Sequence, residues 1–227
     1  MARRRGGGED RRRHVPPRGA GRAAGRPPQA AIASRHDDPS PARHGGGARA
    51  RVARLRGEAD ALQVLGAAER EATPPGGGWS VGQVLDHLAI SNEAYLVMIR
   101  RLVERGRAMP PAPGHATWKP RLVAGFLWRS LAKEGNRLPA PKQIRPRSAP
   151  ADALARYQAS LSGFDALLPA TTELPWNALV GRSPLSSLVR PNLGDALMTV
   201  VVHCERHHRQ IARVRAALGG AATGKPN

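Results

Sequence analysis

Two histidines near the C-terminus are spaced so that they could bind one metal ion. His203 and His207 are four residues apart in a stretch that predicts a long helix, so their rings project from the same face. Apolar residues continue this face in steps of three or four: Val200, Ile211, Val214 and Leu218. Two adjacent imidazoles on a buried face are costly unless their nitrogens are satisfied, and a divalent cation would satisfy both.

A third histidine borders the apolar stripe of an earlier predicted helix. His87 follows Val84 by three residues, and a lone histidine in such a position is more often a hydrogen-bonded core residue. Its combination with the His203–His207 pair is more informative, because metal sites inside helical bundles draw ligands from facing helices. Three imidazole nitrogens leave at least one coordination position open, which is typical of a catalytic metal. Imidazole suits Zn, Ni, Fe and Cu alike, so the metal's identity does not follow.

The residues beside the pair do not extend this ligand set. Glu205 follows His203 by two residues and points about 200° away around the helix, so it is not placed like the general base of an H-E-x-x-H metalloprotease. Cys204 is one position away from the helix face that His203 and His207 share, which predicts a small core residue. His208 is also rotated from that face, and we predict that it lies at the surface or edge. No catalytic residue beyond the metal ligands is predicted.

Amphipathic patterns predict the helices that would position these histidines. The first helix covers residues 48–71 and ends in a run of Pro and Gly. The second starts after Trp79 and continues to about Gly106, with Ser80 as N-cap and Gln83 completing a capping box. Trp79 and the apolar residue at position 84 are spaced to form a hydrophobic staple around this cap.

Two more helices follow a long connection. The third opens near Pro150, and the fourth begins after the N-cap Asn192, with Asp195 three residues on and Gly219-Gly220 at its end. No alternating strand pattern competes with these helices. The sequence therefore predicts an all-α fold, a four-helix bundle.

The connection between the second and third helices spans about 40 residues, which allows those helices to run parallel. Only a short apolar piece within it, residues 122–131, is expected to form a helical turn or two.

The charge of the chain is concentrated near its start. The formal net charge is +19, and residues 1–50 carry twelve Arg against four acidic residues in a stretch rich in Gly, Ala and Pro. Such a stretch cannot bury enough apolar surface to order itself. We predict a disordered extension over 1–47, the bundle over 48–220 and a disordered tail over 221–227. A nucleic-acid-binding role is less favoured, because charge gives non-specific affinity without an element that reads bases.

The single cysteine excludes an internal disulfide and is typical of a reducing compartment. No stretch has the apolar length of a membrane span, so no membrane partner is expected. No convincing export signal precedes the bundle; the Arg content leaves an organellar transit peptide as an alternative, against which Asp37-Asp38 and the many Pro and Gly count. These features predict a cytoplasmic protein.

Two motifs together resemble the DinB-like superfamily (the DinB/YfiT-like metal-dependent group) over roughly residues 48–218. They are Trp79-Ser80-Val81-Gly82-Gln83-Val84-Leu85-Asp86-His87-Leu88 and His203-x-x-x-His207-His208-x-Gln210-Ile211. The resemblance extends to the lead into the last helix and to the loop that contains Lys142. It implies a four-helix bundle and a metal held by three histidines, here His87, His203 and His207. Characterised relatives are thiol S-transferases that use bacillithiol, mycothiol or glutathione, and one group is a mycothiol-dependent isomerase.

The favoured interpretation is thus a metal-dependent transferase in which a divalent metal (Zn, Ni or Fe) activates a low-molecular-weight thiol for conjugation to an electrophile. A non-catalytic metal-binding stress or binding protein of the same fold is the main alternative. A basic nucleic-acid-binding protein is the third. The thiol-binding residues are unknown at this point, and a homodimer is left open.

Overall fold

The computed structural model describes residues 44–133, 139–146 and 148–223. The disorder predicted for 1–47 and 221–227 falls mostly outside these residues, although the first helix already begins at His44. Within the described ranges the regular structure is helical, apart from one isolated antiparallel bridge between Val180 and Asn192. The helices are α1 (His44–Asp60), α2 (Ala67–Glu71), α3 (Val81–Arg107), α4 (Gly114–Thr117), α5 (Leu122–Ala132), α6 (Ala153–Leu167) and α7 (Leu193–Thr223).

Four of these helices, α1, α3, α6 and α7, form the predicted bundle around one apolar core. Helices α3 and α6 run parallel, since their contacts advance in the same direction along both: Arg156 binds Asp86, Ser160 accepts from Asn92, and Gly163 lies against Leu96. Helix α7 runs opposite to α3, which places the middle of α7 beside the first turns of α3. All three candidate histidines lie where those two segments meet.

Hydrogen bonds at the start of α3 confirm the predicted capping box. The Gln83 backbone N–H donates to Ser80 Oγ at 3.2 Å, and the Ser80 N–H donates to Gln83 Oε1 at 3.0 Å. This exchange satisfies two N–H groups that have no partner within the helix. It fixes the first residue of α3 and therefore the face on which His87 lies.

The first predicted helix is wrong as one continuous element. After α1 the chain forms a 3-10 turn over Ala61–Val64 and an extended residue, Leu65, before α2. Gly66 is the N-cap of α2, and its backbone N–H donates to the Glu69 carboxylate at 2.8 Å. Glycine is a poor helix residue, so interrupting the helix at Gly66 costs little stability. Leu65, next to the break, remains buried.

The long connection is more helical than predicted. Its apolar piece forms α5, eleven residues that pack against α7, instead of a turn or two. Ala124 and Trp128 are buried in this contact. A short helix gains most of its stability from such tertiary packing, which a local pattern does not record. The third helix begins slightly later than predicted, at Ala153, whose N–H donates to the Pro150 carbonyl.

A buried network of hydrogen bonds holds the long connection against the start of α7. The predicted N-cap Asn192 accepts the Asp195 N–H on Oδ1 at 2.9 Å, and its own N–H donates to Asp195 Oδ2 at 3.2 Å, a second bond that was not predicted. Asp195 Oδ2 also accepts the Arg121 N–H at 3.1 Å, just before α5. The Trp118 indole N–H donates to Asn192. One carboxylate therefore anchors the first residues of two helices.

Replacing Asp195 by alanine is expected to lower the free energy of unfolding by about 2–3 kcal/mol, because two backbone N–H groups lose their acceptor. Urea denaturation of the variant measures this loss. Glu104→Ala removes an exposed carboxylate paired with Arg107 and is the control, with no measurable change expected. Equal effects of the two substitutions would contradict this role for Asp195.

The predicted end of the last helix is wrong. Helix α7 continues through Gly219 and Gly220 to Thr223. Among the described glycines only Gly77 and Gly78 adopt a positive φ, so the pair in α7 does not form the left-handed cap on which the prediction depended. Glycine permits a helix to stop but does not force it to.

In the part of the chain that the structure describes, no helix combines the length and the hydropathy that a membrane span requires.

Candidate metal centre

The structure brings the three candidate histidines together. The Nε2 atoms of His87 and His203 are 3.0 Å apart, and one ring nitrogen from each of the three residues lies within 4.8 Å of the others. The ring centroid of His207 is 4.6 Å from each of the other two. The geometry therefore provides three nitrogens around one point, while their role as metal ligands stays a prediction.

Protein oxygens fix the tautomer of two of these rings. His87 Nδ1 lies 2.6 Å from the carbonyl oxygen of Ile144, and His207 Nδ1 lies 2.8 Å from Gln210 Oε1. Because both oxygens can only accept, each Nδ1 must carry the hydrogen. The lone pair of each neutral ring is then on Nε2. Metal-binding histidines are usually held in this way by an acceptor on the second nitrogen.

Burial keeps all three rings neutral. His87 and His207 are 2% and 8% exposed, and desolvation lowers the pKa of both, that of His207 to about 3. His203 borders a cavity but is surrounded by protein, and its pKa is lowered well below the ordinary value by burial and by its two histidine neighbours. Neutral imidazole is the form that binds metals, so no proton has to be displaced at neutral pH.

The donor set fits a divalent cation. Zn–N bonds of 2.0–2.1 Å in a tetrahedral site place two nitrogens about 3.3–3.4 Å apart. The observed 3.0 Å between His87 and His203 is close to this separation. Since His87 Nε2 carries a lone pair, the short approach requires either a hydrogen on His203 Nε2 or a cation near both atoms.

The histidines line an apolar cavity of about 660 Å³. Trp79 forms the wall beside them, with its ring centroid 4.9 Å from that of His87. Leu127 and Leu131 of α5 line another wall. Among the described lining residues none is acidic, and Arg206 is the one charged side chain. A cation bound here would keep its double positive charge, which favours an anionic ligand at its open position.

Glu205 and Cys204 lie away from the site, as predicted. Glu205 binds Arg51 and Arg54 of α1. The Cys204 sulfur is buried against the Asn92 side chain, and desolvation raises the pKa of its thiol to about 11. Neither side chain is therefore placed to serve as a fourth ligand.

His208 is rotated away from the site, as predicted, but its ring is not at the open surface. It is partly buried between helices, where Nε2 lies 2.8 Å from the Tyr157 hydroxyl and Nδ1 lies 2.8 Å from a Glu58 carboxylate oxygen. Helix α1 covers this side of α7, and the sequence pattern of α7 alone could not reveal the covering helix.

Several parts of the site were missed by sequence reasoning. Trp79 was expected only as a staple around a helix cap, yet it packs against the histidines. Gln210 was part of the quoted motif without a role, although its position one turn after His207 is a recognisable signal. The Ile144 carbonyl had no signal at all, because it lies 57 residues from His87.

The Gln210→Leu variant is expected to bind the metal about 10–100-fold more weakly, because His207 loses the acceptor that orients its ring. Competition with a metal chelator gives the affinity. Arg209→Leu, one position along the same helix, is the control and should leave the affinity within about twofold. An unchanged affinity for Gln210→Leu would show that its amide does not orient His207.

Comparison with known proteins gives one finding. A family model described as the DinB superfamily matches residues 58–211, a range that includes all three histidines. No curated protein and no solved structure matches the chain.

Proposed function

The chain belongs to the DinB superfamily, and from that premise we propose that it is a metal-dependent thiol S-transferase. One observation carries the proposal: three neutral imidazoles, with no carboxylate among the described lining residues, border an apolar cavity of about 660 Å³. His87, His203 and His207 would hold a divalent metal such as Zn, Ni or Fe. The cavity would hold the electrophile.

The charge of the site favours a thiolate. A divalent cation bound by three neutral nitrogens lowers the pKa of a thiol placed beside it, which keeps the thiol ionised at neutral pH. The chain's own contribution is to hold the three rings neutral by burial and to fix two of them through Ile144 and Gln210. Apolar walls exclude water from the nucleophile, so the thiolate is not stabilised by hydration.

The lining of the cavity indicates the kind of substrate. Trp79, Leu127 and Leu131 suit an electrophile with an apolar body. The Arg206 guanidinium suits an anionic or strongly polar group, such as those carried by glutathione, bacillithiol or mycothiol. The proposal includes a cytoplasmic location, where such thiols are kept reduced.

The test is conjugation of each of the three thiols to a chloronitrobenzene electrophile by the metal-loaded protein. In this reaction a C–S bond forms, the C–Cl bond breaks, chloride leaves with the electron pair and the thiol proton goes to solvent. We expect saturable activity with one thiol, lost on treatment with a chelator and restored by the metal. Inactivity of the metal-loaded protein with every thiol, this probe and a second electrophile class would instead support the non-catalytic metal-binding alternative.

A further inference from the structure

Helix α5 exposes a row of large apolar side chains. Leu122, Val123 and Phe126 are 92%, 58% and 72% exposed, whereas Ala124 and Trp128 on the opposite side are buried against the bundle. Three such side chains within five residues form an apolar patch, the α5 patch, that is costly to leave in water.

Basic residues surround the α5 patch. Lys119 and Arg121 precede it and Arg129 and Lys133 follow it, all of them exposed. Residues 105–151 contain ten Lys or Arg and a single acidic residue, Glu134. Two copies of the chain that met through this surface would bring like charges together. The charge therefore favours an anionic partner over a second copy.

We propose that the α5 patch binds the surface of an anionic lipid membrane. In this arrangement α5 lies in the plane of the interface, with Leu122, Val123 and Phe126 inserted below the headgroups and the flanking basic residues on anionic lipids. A helix of eleven residues contacts the membrane in this way without spanning it. A nucleic acid could bind the basic residues through its phosphates. Its backbone offers no apolar surface, however, so Leu122 and Val123 would stay exposed to water.

The membrane-facing helix is also a wall of the cavity. Leu127 and Leu131 of α5 line the cavity from the side opposite to the α5 patch. A membrane-dissolved apolar electrophile would then be released next to the histidines. This consequence rests on the proposed function, whereas the lipid binding itself does not.

The experiment is co-sedimentation of the full chain with vesicles of phosphatidylcholine alone or with added phosphatidylglycerol. We expect binding to the anionic vesicles that weakens with salt. Leu122→Ser and Phe126→Ser are each expected to reduce the partition coefficient about tenfold, because each removes a large inserted apolar group. Val64→Ser, which removes an exposed valine from the turn before α2, is the matched control and should bind like the unaltered chain.

Two results would overturn this proposal. One is the absence of binding to anionic vesicles. The other is binding that both serine variants retain in full, which would assign the attraction to charge elsewhere, such as the Arg-rich residues 1–50. Where that retained vesicle binding is accompanied by dissociation of a dimer in analytical ultracentrifugation, the second result also identifies the α5 patch as a protein interface. None of these measurements depends on the metal or on transferase activity, so they fail or succeed separately from the proposed function.

Discussion

Replacing His203 by alanine is expected to abolish stoichiometric metal binding and thiol conjugation while leaving the helical content intact. The ring supplies one of the three imidazole nitrogens that the described part of the chain brings together, so its loss should weaken metal binding by more than the roughly 10–100-fold expected for an orienting partner. His203 borders the cavity, and its removal enlarges that cavity instead of opening a void in the close-packed core. Elemental analysis with chelator competition, the conjugation assay and circular dichroism measure the three quantities.

The His208→Gln variant provides the control for this experiment. It removes an imidazole from the same helix, but one that contacts Tyr157 and Glu58 instead of the candidate site. Metal content and conjugation should therefore survive. Full metal content in the His203→Ala protein would contradict the three-histidine assignment, as would equal metal loss in both variants.

The metal-free protein is expected to lose stability as the pH falls from 7 to 5. The pKa of His207 is about 3 in the folded chain and about 6.5 in the unfolded chain, so below pH 6.5 only the unfolded state takes up this proton. The free energy of unfolding then falls by about 2 kcal/mol between pH 7 and pH 5 from this residue alone. His87 and His203 act in the same direction, because burial lowers their pKa values as well.

Urea denaturation in the presence of a chelator at pH 7, 6 and 5 tests this dependence. The His207→Gln variant cannot take up the proton. Its loss of unfolding free energy between pH 7 and pH 5 should therefore be about 2 kcal/mol smaller than that of the unaltered chain. A stability that does not change with pH in the metal-free protein would show that these rings are already solvated in the folded state. A variant with the same slope as the unaltered chain would show that His207 is not the titrating group.

Local rules account for the parts of the fold that sequence reasoning predicted. The capping box at Ser80 and the N-cap at Asn192 involve residues three apart, so the capping box and the N-cap bond could be inferred from residue types alone. The helical repeat placed His203 and His207 on one face. That this face meets His87 depends on how two helices align. The pattern of apolar residues, together with the family resemblance, was enough to predict it.

Contacts between distant parts of the chain account for what was missed. Helix α5 is stabilised by packing on α7, and His208 is covered by α1, so neither could be deduced from its own segment. The Ile144 carbonyl reaches His87 because a 3-10 turn over Lys142–Ile144 folds back onto α3. The same limit applies to Gly219-Gly220, where a local stop signal did not end the helix.

The central claim is that three imidazoles from two helices bind one metal ion. Elemental analysis of protein purified without a polyhistidine tag, combined with X-ray absorption spectroscopy at the edge of the metal found, tests it most directly. We expect one divalent ion per chain with three imidazole nitrogens at about 2.0–2.1 Å. A chain that neither retains nor takes up a divalent metal, or one whose metal is bound mainly through sulfur or carboxylate oxygen, would contradict the claim.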